Sequence, residues 1–220
     1  MRNWIDLFSG RDLTGWTAKG EHAWQVVGGV HLHPDDRRRF QISPGVGAMV
    51  NGAAGRTVDL HSAMEHGSCE MHLEFCVAEK SNSGVYLMGN YEIQILDSYG
   101  TPESEVNYTS CGGIYARWIA ETKSSYDGHP PRTNASRPPG EWQSLEVTFR
   151  APQFDATGKR IAGACFERVL HNGILIHENV ECTGPTRGAW SSEDTPRGPL
   201  RLQGDHGPVA YRNIRIRPLE

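Results

Sequence analysis

Two carboxylates and an amide recur at short spacing in Tyr91-Glu92-Ile93-Gln94-Ile95-Leu96-Asp97, a run that otherwise reads as a β-strand. Strict alternation puts Glu92, Gln94 and Leu96 on one face and Tyr91, Ile93, Ile95 and Asp97 on the other. A β-bulge after Gln94 would turn Asp97 onto the Glu92 face, because an inserted residue re-aims everything after it. Acids and amides on one sheet face suggest sugar chemistry, in which carboxylates move protons and amides bind hydroxyls. The plain alternative is a half-solvated edge strand ending in an acidic turn residue.

A second strand, over residues 68–77, sets Met71, Leu73, Phe75 and Val77 on an apolar face and Glu70, His72, Glu74 and Cys76 on the other. Placed beside Glu92 and Gln94, that second face would complete a polar floor, where burial and like charge push acid and base pKa values apart. Asn82-Ser83-Gly84 precedes another strand, and its side chains suit either a turn or the hydroxyls of a ligand. Gln203-Gly204-Asp205-His206-Gly207 joins two strands, so His206 sits on a loop from which a ring nitrogen can reach a ligand. Of the aromatic residues, Trp4, Trp16 and Trp24 read as packing, whereas Tyr86, Tyr99, Tyr115 and Trp118 fall near the polar floor and could stack on sugar rings. No His-x-x-x-His or Cys-x-x-Cys spacing marks a metal site. A hard cation such as calcium, held by carboxylates and carbonyls, would leave no compact motif outside an EF-hand, so the metal question stays open.

These residues need a sheet to hold them. The 25 glycines and 13 prolines are spread along the whole chain and punctuate short β-rich runs, the pattern of a sandwich or jelly roll. Strands are expected at 24–27, 30–33, 47–50, 68–77, 84–88, 91–96, 113–115, 143–149, 165–170, 174–178, 200–203 and 209–217. His171-Asn172-Gly173 predicts a hairpin, since Asn-Gly tolerates the positive φ of a type I′ turn. Gly28-Gly29 predicts another. Two stretches, 118–140 and 181–198, resist a strand reading, and the first is expected to form a rim of the site. No linker divides the 220 residues, so one domain is expected over 1–220.

Composition excludes several partners. The net charge is −4, and basic residues are scattered apart from Arg37-Arg38-Arg39, so no stripe exists to neutralise a phosphate backbone, and nucleic acid is not expected. No run of 18 apolar residues is present, which argues against a membrane span. The five cysteines are an odd number without paired spacing, and buried free thiols are expected. Free thiols, with no apolar leader at the N-terminus, favour a cytoplasmic chain. A periplasmic or secreted chain is the alternative if a leader has been removed.

Taken together, a set of segments resembles a known family, the 3-keto-disaccharide hydrolases, whose fold is a concanavalin-like jelly roll. The matching pieces are Leu7-Phe8-Ser9-Gly10-Arg11-Asp12-Leu13-Thr14-Gly15-Trp16, Trp24-Gln25-Val26, Leu73-Glu74-Phe75, the segments 82–87 and 91–98, Gly113-Ile114-Tyr115, Pro138-Pro139-Gly140-Glu141-Trp142, His171-Asn172-Gly173, Gly184-Pro185-Thr186, Gly198-Pro199-Leu200-Arg201-Leu202-Gln203 and Tyr211-Arg212-Asn213-Ile214-Arg215-Ile216. The resemblance implies an all-β antiparallel sandwich of the concanavalin and laminarinase type. It also implies an enzyme acting on glycosides that a separate dehydrogenase has oxidised to a ketone at carbon 3.

That ketone acidifies the hydrogen at carbon 2, so a base can form an enolate and the group at carbon 1 can leave by β-elimination, with or without rehydration to the 3-keto sugar. An oxygen-linked or a nitrogen-linked leaving group could depart in this way. Under the resemblance, Glu92 or Glu74 is the base and His206 or Asp97 the acid. Gln94, Asn82 and Arg117, with Tyr86, Tyr115 and Gln203, bind the substrate or the enolate. No organic cofactor is implied, and the oligomeric state is left open. The ribbon 92–97 also is similar to the acidic signature of laminarinase-type β-glucanases, but Gln94 stands where that signature has an aspartate, which argues against double displacement. A non-catalytic carbohydrate-binding module is the third reading, since jelly rolls host both.

Overall fold

The computed structural model describes residues 3–219, so residues 1–2 and 220 of the expected domain lie outside the described residues. In chain order the strands are β1 (Ile5–Asp6), β2 (Trp16–Ala18), β3 (Gln25–Leu32), β4 (Phe40–Val50), β5 (Leu60–His66), β6 (Cys69–Val77), β7 (Asn82–Leu87), β8 (Tyr91–Leu96), β9 (Arg117–Ile119), β10 (Ser124–Tyr126), β11 (Gln143–Arg150), β12 (Gln153–Phe154), β13 (Arg160–Ala162), β14 (Cys165–His171), β15 (Ile174–Glu181), β16 (Gly198–Leu202) and β17 (Val209–Pro218). Among the described residues there is no α-helix, only one 3-10 turn at Glu103–Glu105.

Two antiparallel sheets carry the architecture. The larger has eight strands in the order β15-β14-β11-β6-β17-β4-β3, with β1 added along β17, and the smaller has the order β2-β5-β16-β7-β8. Strand alternation explains how they face each other. Leu73 and Phe75 of β6, Val147 and Phe149 of β11 and Tyr211, Ile214 and Ile216 of β17 meet Leu60 of β5, Leu200 and Leu202 of β16, Val85 and Leu87 of β7, and Tyr91, Ile93 and Ile95 of β8 in one apolar cluster. The result is an antiparallel sandwich of the jelly-roll kind. All five cysteines are buried and unpaired, as expected, and burial pushes the thiols of Cys69 and Cys76 up to about 12.

The turn chemistry holds at one expected hairpin and fails at the other. Asn172 (φ 52°) and Gly173 (φ 78°) join β14 to β15 in the left-handed conformation that a type I′ turn requires. Gly28-Gly29 makes no reversal, and β3 runs straight through it, because neither glycine takes a positive φ. A Cβ on Gly28 would lie 2.8 Å from the Pro44 carbonyl oxygen, so this glycine serves a close backbone approach to β4 at a register shift.

β5 was not expected at all. Its inward positions are Leu60, Ser62, Met64 and His66, so two of the four are polar and the alternation is masked. The structure satisfies both: Ser62 Oγ accepts from the Leu200 amide at 2.9 Å, and His66 Nε2 accepts from the Met88 amide at 3.0 Å.

Candidate active site

The outward face of the smaller sheet holds most of the candidate side chains, and the strand register lines them up. Thr17 pairs with His61, His61 with Arg201, Arg201 with Tyr86 and Tyr86 with Glu92, a single cross-strand row from β2 to β8. The Tyr115 amide extends it by donating to the Glu92 carbonyl oxygen at 3.0 Å. A second row lies beside it, with Gly84 opposite Gln94 and the Gln203 amide donating to the Gly84 carbonyl oxygen at 2.9 Å. Glu92 and Gln94 therefore share a face, as alternation predicts.

A pocket of about 310 Å³ opens over these rows, lined by Asn82, Tyr86, Glu92, Gln94, Tyr115 and Gln203 from the sheet and its edge, with Arg187, Gly188 and His206 from two loops above. Gly84 makes room for the acid, since a Cβ there would sit 2.2 Å from Glu92 Oε1. Glu92 is only 3% exposed, and burial pushes its carboxyl up to about 8. The Tyr86 hydroxyl and the Arg201 guanidinium pull in the opposite direction without overcoming that desolvation. The Arg201 guanidinium stands over the Tyr86 ring, 3.7 Å from its centroid, donates to the Gly188 carbonyl oxygen at 2.6 Å and has Asp59 at 3.7 Å.

Two buried asparagines hold the loops. Asn51 Nδ2 donates to the carbonyl oxygens of Gly204 and Gly207 at 3.0 and 2.8 Å, fixing the turn that presents His206, whose Nδ1 bonds Asp205. Asn90 accepts from Ser191 at 2.9 Å through its side chain and from the Thr186 amide at 2.9 Å through its backbone, fixing the loop that carries Arg187.

Three expected site residues are not in the pocket. The β7–β8 ladder runs without a register shift, so no bulge follows Gln94 and Asp97 is not re-aimed. Its carboxylate instead accepts from the Lys80 amide at 2.9 Å. Glu74 stands on β6 in the other sheet, facing away from the sandwich, where Arg212 and Asn213 bond it at 2.6 and 2.7 Å. Burial would raise its carboxyl, but those bonds outweigh burial and hold it below its usual value. Arg117 props the neighbouring loop, donating to Thr183 Oγ1 at 3.0 Å. The polar floor from β6 thus does not exist, because β6 and β8 belong to different sheets. The rim comes from the stretch 181–198 through Arg187 and Gly188, while 118–140 supplies no lining residue and stands behind the site, with Arg187 over its Trp118 at 4.1 Å and its His129 paired by backbone with Ile114, beside Tyr115.

Arg187 and Arg201 are the site residues that the sequence reading missed. Arg201 had a signal: it alternates with Gln203 across Leu202 and so shares its face. Arg187, on an irregular loop, had none. Among the described residues no three His, Cys, Asp or Glu side chains converge, and the pocket offers one carboxylate with amides and an imidazole. That donor set does not make the multi-carboxylate cage of a calcium site.

Against this geometry, the model of the 3-keto-alpha-glucoside-1,2-lyase-like domain matches residues 3–217. The chain belongs to this family. As a 3-keto-alpha-glucoside-1,2-lyase-like domain it is similar in structure to two proteins of Parabacteroides distasonis ATCC 8503 provisionally named glycosyl hydrolases. One is 28% identical, with 98% of this chain and 84% of that chain covered and a TM-score of 0.69. The other is 20% identical, with 99% and 100% covered and a TM-score of 0.60, and it bears on the fold alone. No curated protein matches the chain. Family and fold together mark it as a carbohydrate-active, hydrolase-like enzyme.

Proposed function

We propose that this enzyme cleaves 3-keto-glycosides by β-elimination. The observation that carries the reading is the solitary buried carboxylate of the pocket, Glu92, whose carboxyl is pushed up to about 8. Double-displacement hydrolysis takes two carboxylates about 5 Å apart, and Glu92 has no carboxylate partner among the pocket residues. A base of raised pKa suits abstraction of a carbon-bound proton, because base strength rises with pKa.

In the proposed reaction Glu92 takes the proton from carbon 2 of the 3-keto sugar. The electron pair of that bond moves onto the carbon 3 oxygen, where Arg187 and the amides of Gln94 and Asn82 stabilise the enolate. The enolate then collapses, the carbon 1–oxygen bond breaks, and a double bond forms between carbons 1 and 2. His206, oriented by Asp205, gives the departing oxygen its proton. Water can add to carbon 1, giving a proton to the His206 left neutral by the elimination, as Glu92 returns its proton to carbon 2, which yields the 3-keto sugar. Such a substrate requires a separate sugar 3-dehydrogenase upstream.

The test is to incubate the protein with a 3-keto-glucoside and with its unoxidised parent, with and without a chelator, and to follow absorbance of the unsaturated ketone. Turnover is expected for the keto form only. E92Q is expected to lower kcat/KM by roughly 10²–10⁴-fold, and in the parent protein kcat/KM is expected to rise with pH through about 8 as Glu92 ionises. Equal turnover of the unoxidised glucoside without enone would return the reading to ordinary hydrolysis.

A further inference from the structure

A second cavity, of about 940 Å³, lies beside the first on the same face of the smaller sheet, over β5 and β16. The two share a wall. Arg201 lines the larger cavity and stands over Tyr86 of the smaller, while Gly188 and His206 of the smaller are each followed or preceded in the chain by a residue of the larger, Ala189 and Asp205. The Asp205–His206 pair thus stands on the boundary between them. Neighbouring strands lie about 4.8 Å apart, so the row from Glu92 on β8 to His61 on β5 spans three spacings, on the order of 14 Å.

We infer that the larger cavity binds the leaving group of the substrate, and that this group is a neutral oligosaccharide of at least two sugar units. This rests on the reading of Glu92 as base and His206 as acid. With the acid at the boundary, the scissile oxygen lies there and the leaving group extends beyond it. The charges in the cavity cancel, with Lys19, Arg56 and Arg201 against Glu21, Asp59 and Asp205, which suits a ligand of hydroxyl donors and acceptors better than an anion.

Two further observations point to a bound polar ligand. Arg201, 7% exposed, has its Nε shielded beside Asp59 Oδ2 at 3.7 Å, and the Asp59 carboxylate, whose side chain is 32% exposed, is the acceptor this wall offers to a ligand hydroxyl. Trp190, 41% exposed, presents an indole with His61 at 4.9 Å and the ammonium of exposed Lys19 at 3.6 Å, a flexible cover that a sugar ring can displace. The volume, about three times the 310 Å³ of the first pocket, sets the length beyond a single sugar.

The experiment is a length series. Terminally oxidised 3-keto-glucosides with methyl, monosaccharide, disaccharide and trisaccharide leaving groups are compared in the parent protein, in W190A and in E21A, an exposed wall residue whose loss leaves packing intact. The expected result is at least a tenfold rise in kcat/KM from the methyl to the disaccharide leaving group. W190A and E21A should lose most of that rise while turning over the methyl compound unchanged. A flat series, or variants that slow the methyl and the long compounds equally, overturns the inference while leaving the reaction intact. If no compound is turned over, the reaction itself has failed. The cavity is then read separately by calorimetric titration with an unoxidised glucose trisaccharide, where binding that W190A abolishes supports the inference and absence of binding overturns it.

Discussion

As the proposed base, Glu92 combines two requirements that oppose each other: a base needs a high pKa, and a folded protein is destabilised by a buried charge. Its folded pKa of about 8 lies above its ordinary 4.5, so between those values the folded protein keeps a proton that the unfolded chain has released. Stability attributable to this residue is therefore intact below pH 4.5 and is lost as pH rises through 8. Replacing Glu92 with Gln removes the ionisation. E92Q is expected to melt higher than the parent at pH 9, by roughly 5 °C or more, and to converge with it near pH 4.5. Calorimetric melting at the two pH values checks this, and a gap independent of pH would contradict the burial argument.

At the scale of elements, the site depends on β8 and on the loop that Asn90 pins above it. Asn90, 1% exposed, bonds Ser191 and Glu193 through its amide. N90A leaves buried groups unpaired, so stability is expected to fall by about 1–3 kcal/mol, and Arg187 should lose its fixed position. Denaturant midpoints measure the first effect. Faster amide exchange confined to the loop, with a lower kcat/KM, would report the second.

The same elements show what was legible in the sequence. Alternation placed Glu92 and Gln94 correctly, because period two decides the face of a strand. It equally put Glu74 on an outward face, but period cannot tell to which of two sheets a strand belongs, and the outward faces of a sandwich point away from each other. Gly28-Gly29 misled because a glycine pair marks close backbone approach as readily as reversal. Arg187 is invisible because an irregular loop has no period, and its position comes from Asn90, 97 residues earlier in the chain.

Over the whole molecule, three imidazoles are held neutral inside the sandwich. Burial lowers His66, His171 and His177 to about 4, and one ring nitrogen of each donates a hydrogen bond: His66 Nδ1 to Gly67, His171 Nε2 to Gln143 and His177 Nε2 to Gly112. The unfolded chain takes up protons near 6.5, whereas these groups resist until about 4. Their contribution is thus present above 6.5 and is lost as pH falls towards 4, on the order of 3 kcal/mol for each. The urea midpoint is expected to drop steeply between pH 7 and 4.5, and an unchanged midpoint would mean that the imidazoles are solvated.

The buried cysteines have a different consequence. They sit on β6, on β14, beside β8 and at the end of β15, each shielded and each with a thiol pushed up by burial. A thiol-specific alkylating reagent can reach a given sulfur only when the segment that carries it parts from its neighbours. The native chain therefore carries five intrinsic clocks, and their separate labelling rates would map which part of the sandwich opens first without any probe being introduced.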